Sequence, residues 1–313
     1  MFKYLAISGA GINCLSFVGC LVVLERYGIL NNIKGFSGSS AGALVSTLVI
    51  IGYKSSELKK LMFKIDFGKF IHFDLDTLIK KFGVCNGTEL IKLVDFLFRN
   101  KGLSPSITFE ELYQKTKRKL NITGSCLSKA AFTNKFSKSD SFNHETTPNM
   151  KILEALRITV SIPWVYSPHT FNNQMYVDGA LFHPYPISWF QEMDPEKKYT
   201  LGFVSYDIYE DTPTSIDSYS MSILVGMMDQ LKMLCVQNYQ KQTVILENLE
   251  FNCFDFGIRN ESKEILYKRG IENMTKYLEN LFTERRRHYL YKKYIIKWKN
   301  YSSATDEAAS LSS

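Results

Sequence analysis

A serine with a glycine two residues to either side is the first place to look for chemistry in this chain. In Gly38-Ser39-Ser40-Ala41-Gly42 the glycines lack Cβ atoms. A strand and a helix can therefore approach closely, and Ser40 can take a strained backbone conformation. Such a turn projects the hydroxyl outward, the form of a nucleophile elbow. The helix that follows adds free N–H groups and the positive end of its dipole, which favour a developing oxyanion. A second glycine-rich turn, Ser8-Gly9-Ala10-Gly11, has the form of an anion cradle. As a dinucleotide fingerprint it fails, because Cys14 stands at the third glycine position and no phosphate-loop Lys-Ser/Thr follows.

A serine hydroxyl needs a base. Asp178 in Asp178-Gly179-Ala180 is one candidate, although on its own it reads as an ordinary turn. His183, five residues on, leaves a Ser–His arrangement open as a rival. Asp74 and Asp76 lie near His72 but lack further ligands at metal-binding spacing, so a solvated loop is expected there.

The elements that must position these groups follow from periodicity. Phe2 to Ile7 reads as a buried strand, and Ile12 to Tyr27 as a helix ending at Gly28. A partly apolar run from Ile33 leads into the Ser40 turn, and an apolar helix then runs to Gly52. Two successive strand–helix units argue for a parallel sheet covered by helices. Further helices are expected over residues 55–65, with Ser55 or Ser56 as cap, and over Thr88 to Arg99. Thr108-Phe-Glu-Glu111 is a capping box. Lys119 to Cys126 and Lys129 to Thr133 read as strands, Ser137 to Thr147 as a polar loop, and Pro148 as the approach to a helix through Arg157. A turn at Asn172-Asn173 leads into the strand that ends at Asp178. Strands at Tyr199 to Ser205 and Val244 to Leu246, a helix over 220–240 and a helix over 262–300 broken at Gly270 complete the outline.

With 313 residues, 45% hydrophobic, the chain is long enough for a sizeable core. Its six cysteines are scattered without a C-x-x-C pair, which points to free thiols and away from structural zinc. The N-terminus lacks the apolar stretch of a signal peptide, and no run of apolar residues is long enough to span a bilayer. A cytoplasmic or peripherally membrane-associated protein is expected. The net charge of +7 sits almost wholly in residues 284–300, where seven Lys/Arg meet one Glu, leaving +1 elsewhere. That distribution does not make a nucleic-acid-binding domain, and no nucleic acid is expected.

Taken together, the Ser8–Cys14 turn, the Gly38–Gly42 elbow and Asp178-Gly179-Ala180 resemble the patatin-like phospholipase family in order and context. Gly19, Leu24-Glu25, Ser161-Ile-Pro163 and Tyr185-Pro186 extend the resemblance, which covers roughly residues 1–260. It implies an α/β fold, a three-layer sandwich with a central, mainly parallel sheet flanked by helices. It implies a Ser–Asp dyad, with Ser40 as nucleophile and Asp178 as proton acceptor. Backbone N–H groups of Gly9, Ala10 and Gly11 would form the oxyanion hole. No metal and no cofactor is implied, and the substrate would be a phospholipid or another acyl-ester lipid. The chain departs from the family pattern at Ala10, where a glycine is usual, at Asn13, where a cation is usual, and at Cys14. A catalytically impaired lipid- or membrane-binding protein on the same fold is therefore the alternative.

The expected domains are an acyl-hydrolase domain over 1–260, a basic helical extension over 261–301 and a disordered tail over 302–313. Within the extension, residues 285–299 place Leu290, Tyr291, Tyr294, Ile295 and Trp298 on one helical face among cations. Such a helix suits peripheral contact with an anionic membrane.

Overall fold

The computed structural model describes residues 2–71, 74–128, 139–207, 212–248 and 250–284. In chain order, β1 (Tyr4–Ile7), α1 (Cys14–Arg26), β2 (Gly35–Gly38) and α2 (Ala41–Ile50) form two strand–helix units. Next come α3 (Ser55–Lys64), α4 (Leu75–Lys81), β3 (Gly83–Cys85), α5 (Thr88–Asn100) and α6 (Phe109–Thr116). They are followed by β4 (Lys119–Cys126), β5 (Ser139–Phe142), α7 (Ile152–Thr159), β6 (Trp164–Tyr166), β7 (His169–Phe171) and β8 (Gln174–Asp178). The last elements are β9 (Thr200–Asp207), α8 (Ile216–Gln237), β10 (Thr243–Asn248) and a helix α9 over residues 260–284.

The main sheet runs β10-β9-β1-β2-β4-β8-β7, with β5 also paired to β4. From β10 to β4 every pairing is parallel, and β5, β8 and β7 are antiparallel. This is the expected α/β architecture, a mainly parallel sheet with helices on its faces. Parallel strands buried on both faces must be apolar throughout, and Leu5, Ala6 and Ile7 of β1 are fully buried. On α1 every residue from Cys14 to Leu24 is buried.

Several local expectations change. Ser55 does not cap α3; its backbone N–H and hydroxyl both reach the Glu25 carboxylate, and Lys54 takes the cap position. Residues 139–142, expected in a polar loop, form β5, because their backbone completes hydrogen bonding along β4. The helix expected from Pro148 begins at Ile152; Pro148 and Met150 instead offer their carbonyls to the first N–H groups of α6. Gly270 does not interrupt α9. It lies against Ser16 of α1, where a Cβ would overlap the Ser16 carbonyl, and Gly19 meets Tyr267 in the same way. The glycines are there for close helix crossing. Through this crossing Leu266, Met274 and Leu278 join the main core, so residue 260 begins a helix without ending that core. The strand expected at Lys129 to Thr133, the membrane-contact segment 285–299 and the tail 302–313 lie outside the described residues. Among the described residues, no helix is long and apolar enough to cross a membrane.

Candidate active site

Sheet register brings the serine and the aspartate together. Gly38 at the end of β2 pairs with Ile122 of β4, and Asp178 at the end of β8 pairs with Gly124, two residues further along. Ser40, two residues past Gly38, therefore comes level with Asp178. Ser40 Oγ donates to Asp178 Oδ2 at 2.6 Å, and both residues are buried.

The elbow is strained where the sequence requires it. Ser40 sits at φ 50°, ψ −126°, a conformation that costs a non-glycine residue on the order of 1–3 kcal/mol. The surroundings hold it. Ser40 N–H donates to Thr159 Oγ1 at 2.9 Å, which anchors the turn to the end of α7. A Cβ on Gly42 would overlap the Ile7 and Ser8 carbonyls, and one on Gly38 would overlap Ala43. Asp178 is fixed in turn: its Oδ1 accepts the Ala180 N–H at 2.8 Å. A Cβ on Gly179 would overlap Thr123, so the Asp-Gly pair follows from packing. Burial pushes the Asp178 carboxyl up to about 7, against the pull of the Ser40 and Ala180 hydrogen bonds. A carboxyl at that position accepts a proton far more readily than an exposed one.

The glycine-rich turn borders the same pocket, which Gly9, Ala10, Gly11, Ser40 and Asp178 line together. Gly9 N–H is engaged, donating to the Pro184 carbonyl at 2.9 Å. Ala10 and Gly11 N–H make no hydrogen bond among the described residues. Ala10 takes φ −157°, so the residue that replaces a glycine there needs no left-handed backbone. Gly11 does, at φ +49°, and a side chain would run into the Cys253 carbonyl. The Asn13 amide is engaged elsewhere: its Nδ2 donates to Asp207 Oδ1 at 2.6 Å. Cys14 is buried at the start of α1, and burial pushes its thiol up to about 12, which leaves it chemically quiet.

Two contributors escaped the sequence reading. Thr159 carries no motif. Lys232 comes from α8, a helix whose Met and Leu content reads as core, yet it is buried and walls the Ser40 pocket. Its Nζ donates to the Ser205 carbonyl and to Asp229 Oδ1, both at 2.8 Å. The one signal was an Asp–Lys pair at i,i+3 in a largely apolar helix.

Other candidates fall elsewhere. His183 Nε2 lies 3.3 Å from Ser188 Oγ, while the Ser40 hydroxyl is directed to Asp178. Asp74 caps α4 through Asp76 N–H and the Thr77 hydroxyl, and Asp76 pairs with Lys80. His72 lies outside the described residues.

Ser40 also borders an apolar cavity that is partly open to solvent. Ala41, Leu44 and Leu48 of α2, Leu61 of α3, and Val94 and Leu97 of α5 line it.

The chain is 31% identical over 191 residues to a probable lipid hydrolase of Invertebrate iridescent virus 6, covering 59% of this chain and 62% of that one. It is 27% identical over 285 residues to an uncharacterized protein of Acanthamoeba polyphaga mimivirus, covering 87% and 92%. Among solved structures, VipD from Legionella pneumophila superposes with a TM-score of 0.66 at 14% identity, covering 89% of this chain and 67% of that one. Residues 5–189 match the model of the patatin-like phospholipase family, and the chain belongs to that family.

Proposed function

We propose that the chain hydrolyses acyl esters of glycerolipids, in the manner of a phospholipase A or lysophospholipase, through a Ser40–Asp178 dyad. One observation carries the reading: the 2.6 Å Ser40–Asp178 hydrogen bond stands where an apolar cavity meets the Ala10–Gly11 turn, whose N–H groups make no hydrogen bond among the described residues. The cavity accepts the acyl chain and brings the ester carbonyl to Ser40. Ser40 Oγ attacks the carbonyl carbon as its proton passes to Asp178. Ala10 and Gly11 N–H donate to the oxyanion, each such donor being worth on the order of 3 kcal/mol. Gly9, committed to Pro184, shapes the loop. The tetrahedral intermediate collapses, the C–O bond to the leaving alcohol breaks, and Asp178 returns its proton to that oxygen. Water, deprotonated by Asp178, then attacks the acyl-enzyme; fatty acid leaves and Ser40 regains its proton. Lys232 supplies a positive charge on the pocket wall, where Asn13 replaces the usual cation of the loop.

Fatty-acid release from a panel of acyl esters and mixed phospholipids tests the reading, with wild type, Ser40→Ala and Asp178→Asn in parallel. Each folded variant is expected to lose activity by roughly a thousandfold or more. Equal turnover in all three, or none in any, overturns it.

A further inference from the structure

The helix that carries Lys232 is apolar on both of its faces. Leu224, Val225 and Met228 face inward and are buried. Ile216, Tyr219, Ile223 and Met227, spaced by three or four residues, form an outward stripe, with Ile216 79% exposed and Met227 54%. A surface helix ordinarily turns polar residues to water. The shorter α4 repeats the pattern: Leu75 and Ile79 on the helix, and Phe82 just past its end, are each more than half exposed. The two stripes meet. Phe82, Ile223 and Met227 line one shallow groove with Leu127 and Trp164. Trp164 is 46% exposed and sits at φ +65°, a conformation rare for a bulky residue, which holds the indole in the groove.

We infer that this α4–Trp164–α8 face docks on an anionic lipid surface and passes acyl chains into the Ser40 pocket. The inference rests on the lipid-hydrolase reading above and names the surface on which that site works. Two observations select a lipid surface over other occupants. The groove adjoins the catalytic pocket, with Pro163, Leu181 and Leu224 lining both. A lipid drawn from a bilayer needs such an apolar path. Cations also stand at the rim: Lys80 and Lys81 sit exposed beside Phe82, while Asp74 and Asp76 lie at the far end of α4. Lys80 pairs with Asp76, but that pair is exposed and so worth little. Cations beside an apolar, Trp-bearing face suit the headgroup boundary. Contiguous exposed apolar surface of this kind marks an interaction site.

The test uses the full chain. Ile223→Lys/Met227→Lys places charge on an exposed face and leaves the core intact, which a thermal melt verifies. In a Ser40→Ala background, flotation with phosphatidylcholine vesicles, with and without phosphatidylglycerol, reads binding alone. In the active chain, a soluble butyrate ester and vesicle phospholipid are compared. The expected result is tighter binding to anionic vesicles, a loss of binding of about tenfold in the lysine variant, and a matching loss of vesicle hydrolysis. Butyrate turnover should stay near wild type. Unchanged vesicle binding in the lysine variant overturns the inference. So does binding lost only when Arg285, Arg286 and Arg287 are changed to Glu, which would assign the contact to that segment. A concentration-dependent dimer abolished by the lysine variant, with vesicle binding intact, would make the occupant a second copy. Loss of butyrate turnover in wild type would count against the catalytic reading, and vesicle binding reports on the face separately.

Discussion

Ser40 Oγ donates to Asp178 Oδ2 at 2.6 Å between two buried residues, and the aspartate's other oxygen holds the Ala180 N–H. Burial pushes the Asp178 carboxyl up to about 7. As a base it must be ionised, so kcat/KM should rise as pH crosses about 7 and level off above. His183, whose pKa burial drives down, should not contribute that limb. His183→Ala is expected to keep the profile, measured as kcat/KM for a soluble ester from pH 5 to 9. A profile whose limb vanishes with His183 would restore the Ser–His arrangement.

The same shift acts on stability. The folded carboxyl holds its proton to higher pH than the unfolded one, so stability is greatest below the unfolded value of 3.8 and falls as pH rises toward about 7. The loss across that window is on the order of 4 kcal/mol. Asp178→Asn removes it. The variant should be inactive, and it should gain stability relative to wild type at pH 8 but not at pH 4, as read from denaturant midpoints.

The cavity sets a length. Leu48 stands eight residues beyond Ser40 on α2 and lines the same cavity, about 12 Å away by helical rise. Leu48→Trp should block the far end while leaving the mouth open. Hydrolysis of a laurate or oleate ester is expected to fall by roughly tenfold or more, while an acetate ester keeps its rate. Parallel kcat/KM series on wild type and variant check this. Equal losses on all chain lengths would mean that the acyl chain lies elsewhere.

Much of this site was legible because its residues are steric necessities. Gly38 and Gly42 have no room for a Cβ, Gly179 is pressed against Thr123, and Gly11 needs a positive φ. The Asn172-Asn173 turn was equally plain, and both residues take positive φ. What escaped was set by partners far along the chain. Thr159 matters through Ser40, 119 residues away. Ser139–Phe142 looks like loop by composition and becomes strand by lying beside β4. Gly270 reads as a helix break by propensity, yet it serves the contact with α1. The exposed apolar stripe of α8 has the same composition as a core helix, and only its environment separates the two.

Lys232 makes the last prediction, in which activity and stability must be separated. The buried ammonium serves Ser205 and Asp229 and lies near Asp207. Burial raises the Asp207 carboxyl, while the Lys232 charge and the Asn13 hydrogen bond pull it down. Lys232→Met strands these carboxylates and should destabilise the fold by roughly 3 kcal/mol. The loss should be greatest near neutral pH and smaller in acid, where protonation of Asp207 relieves it. Lys232→Met/Asp229→Leu removes one of the two stranded carboxylates and should recover part of that stability. If Lys232 also supplies charge to the oxyanion, the double variant stays slow, with kcat for a neutral soluble ester down roughly tenfold and KM little changed. Lys232→Arg, which keeps the charge, should retain most of the rate. Should the double variant regain both stability and kcat, Lys232 would be a strut for β9 alone, and the positive charge that the loop lacks at Asn13 would have no substitute in this wall.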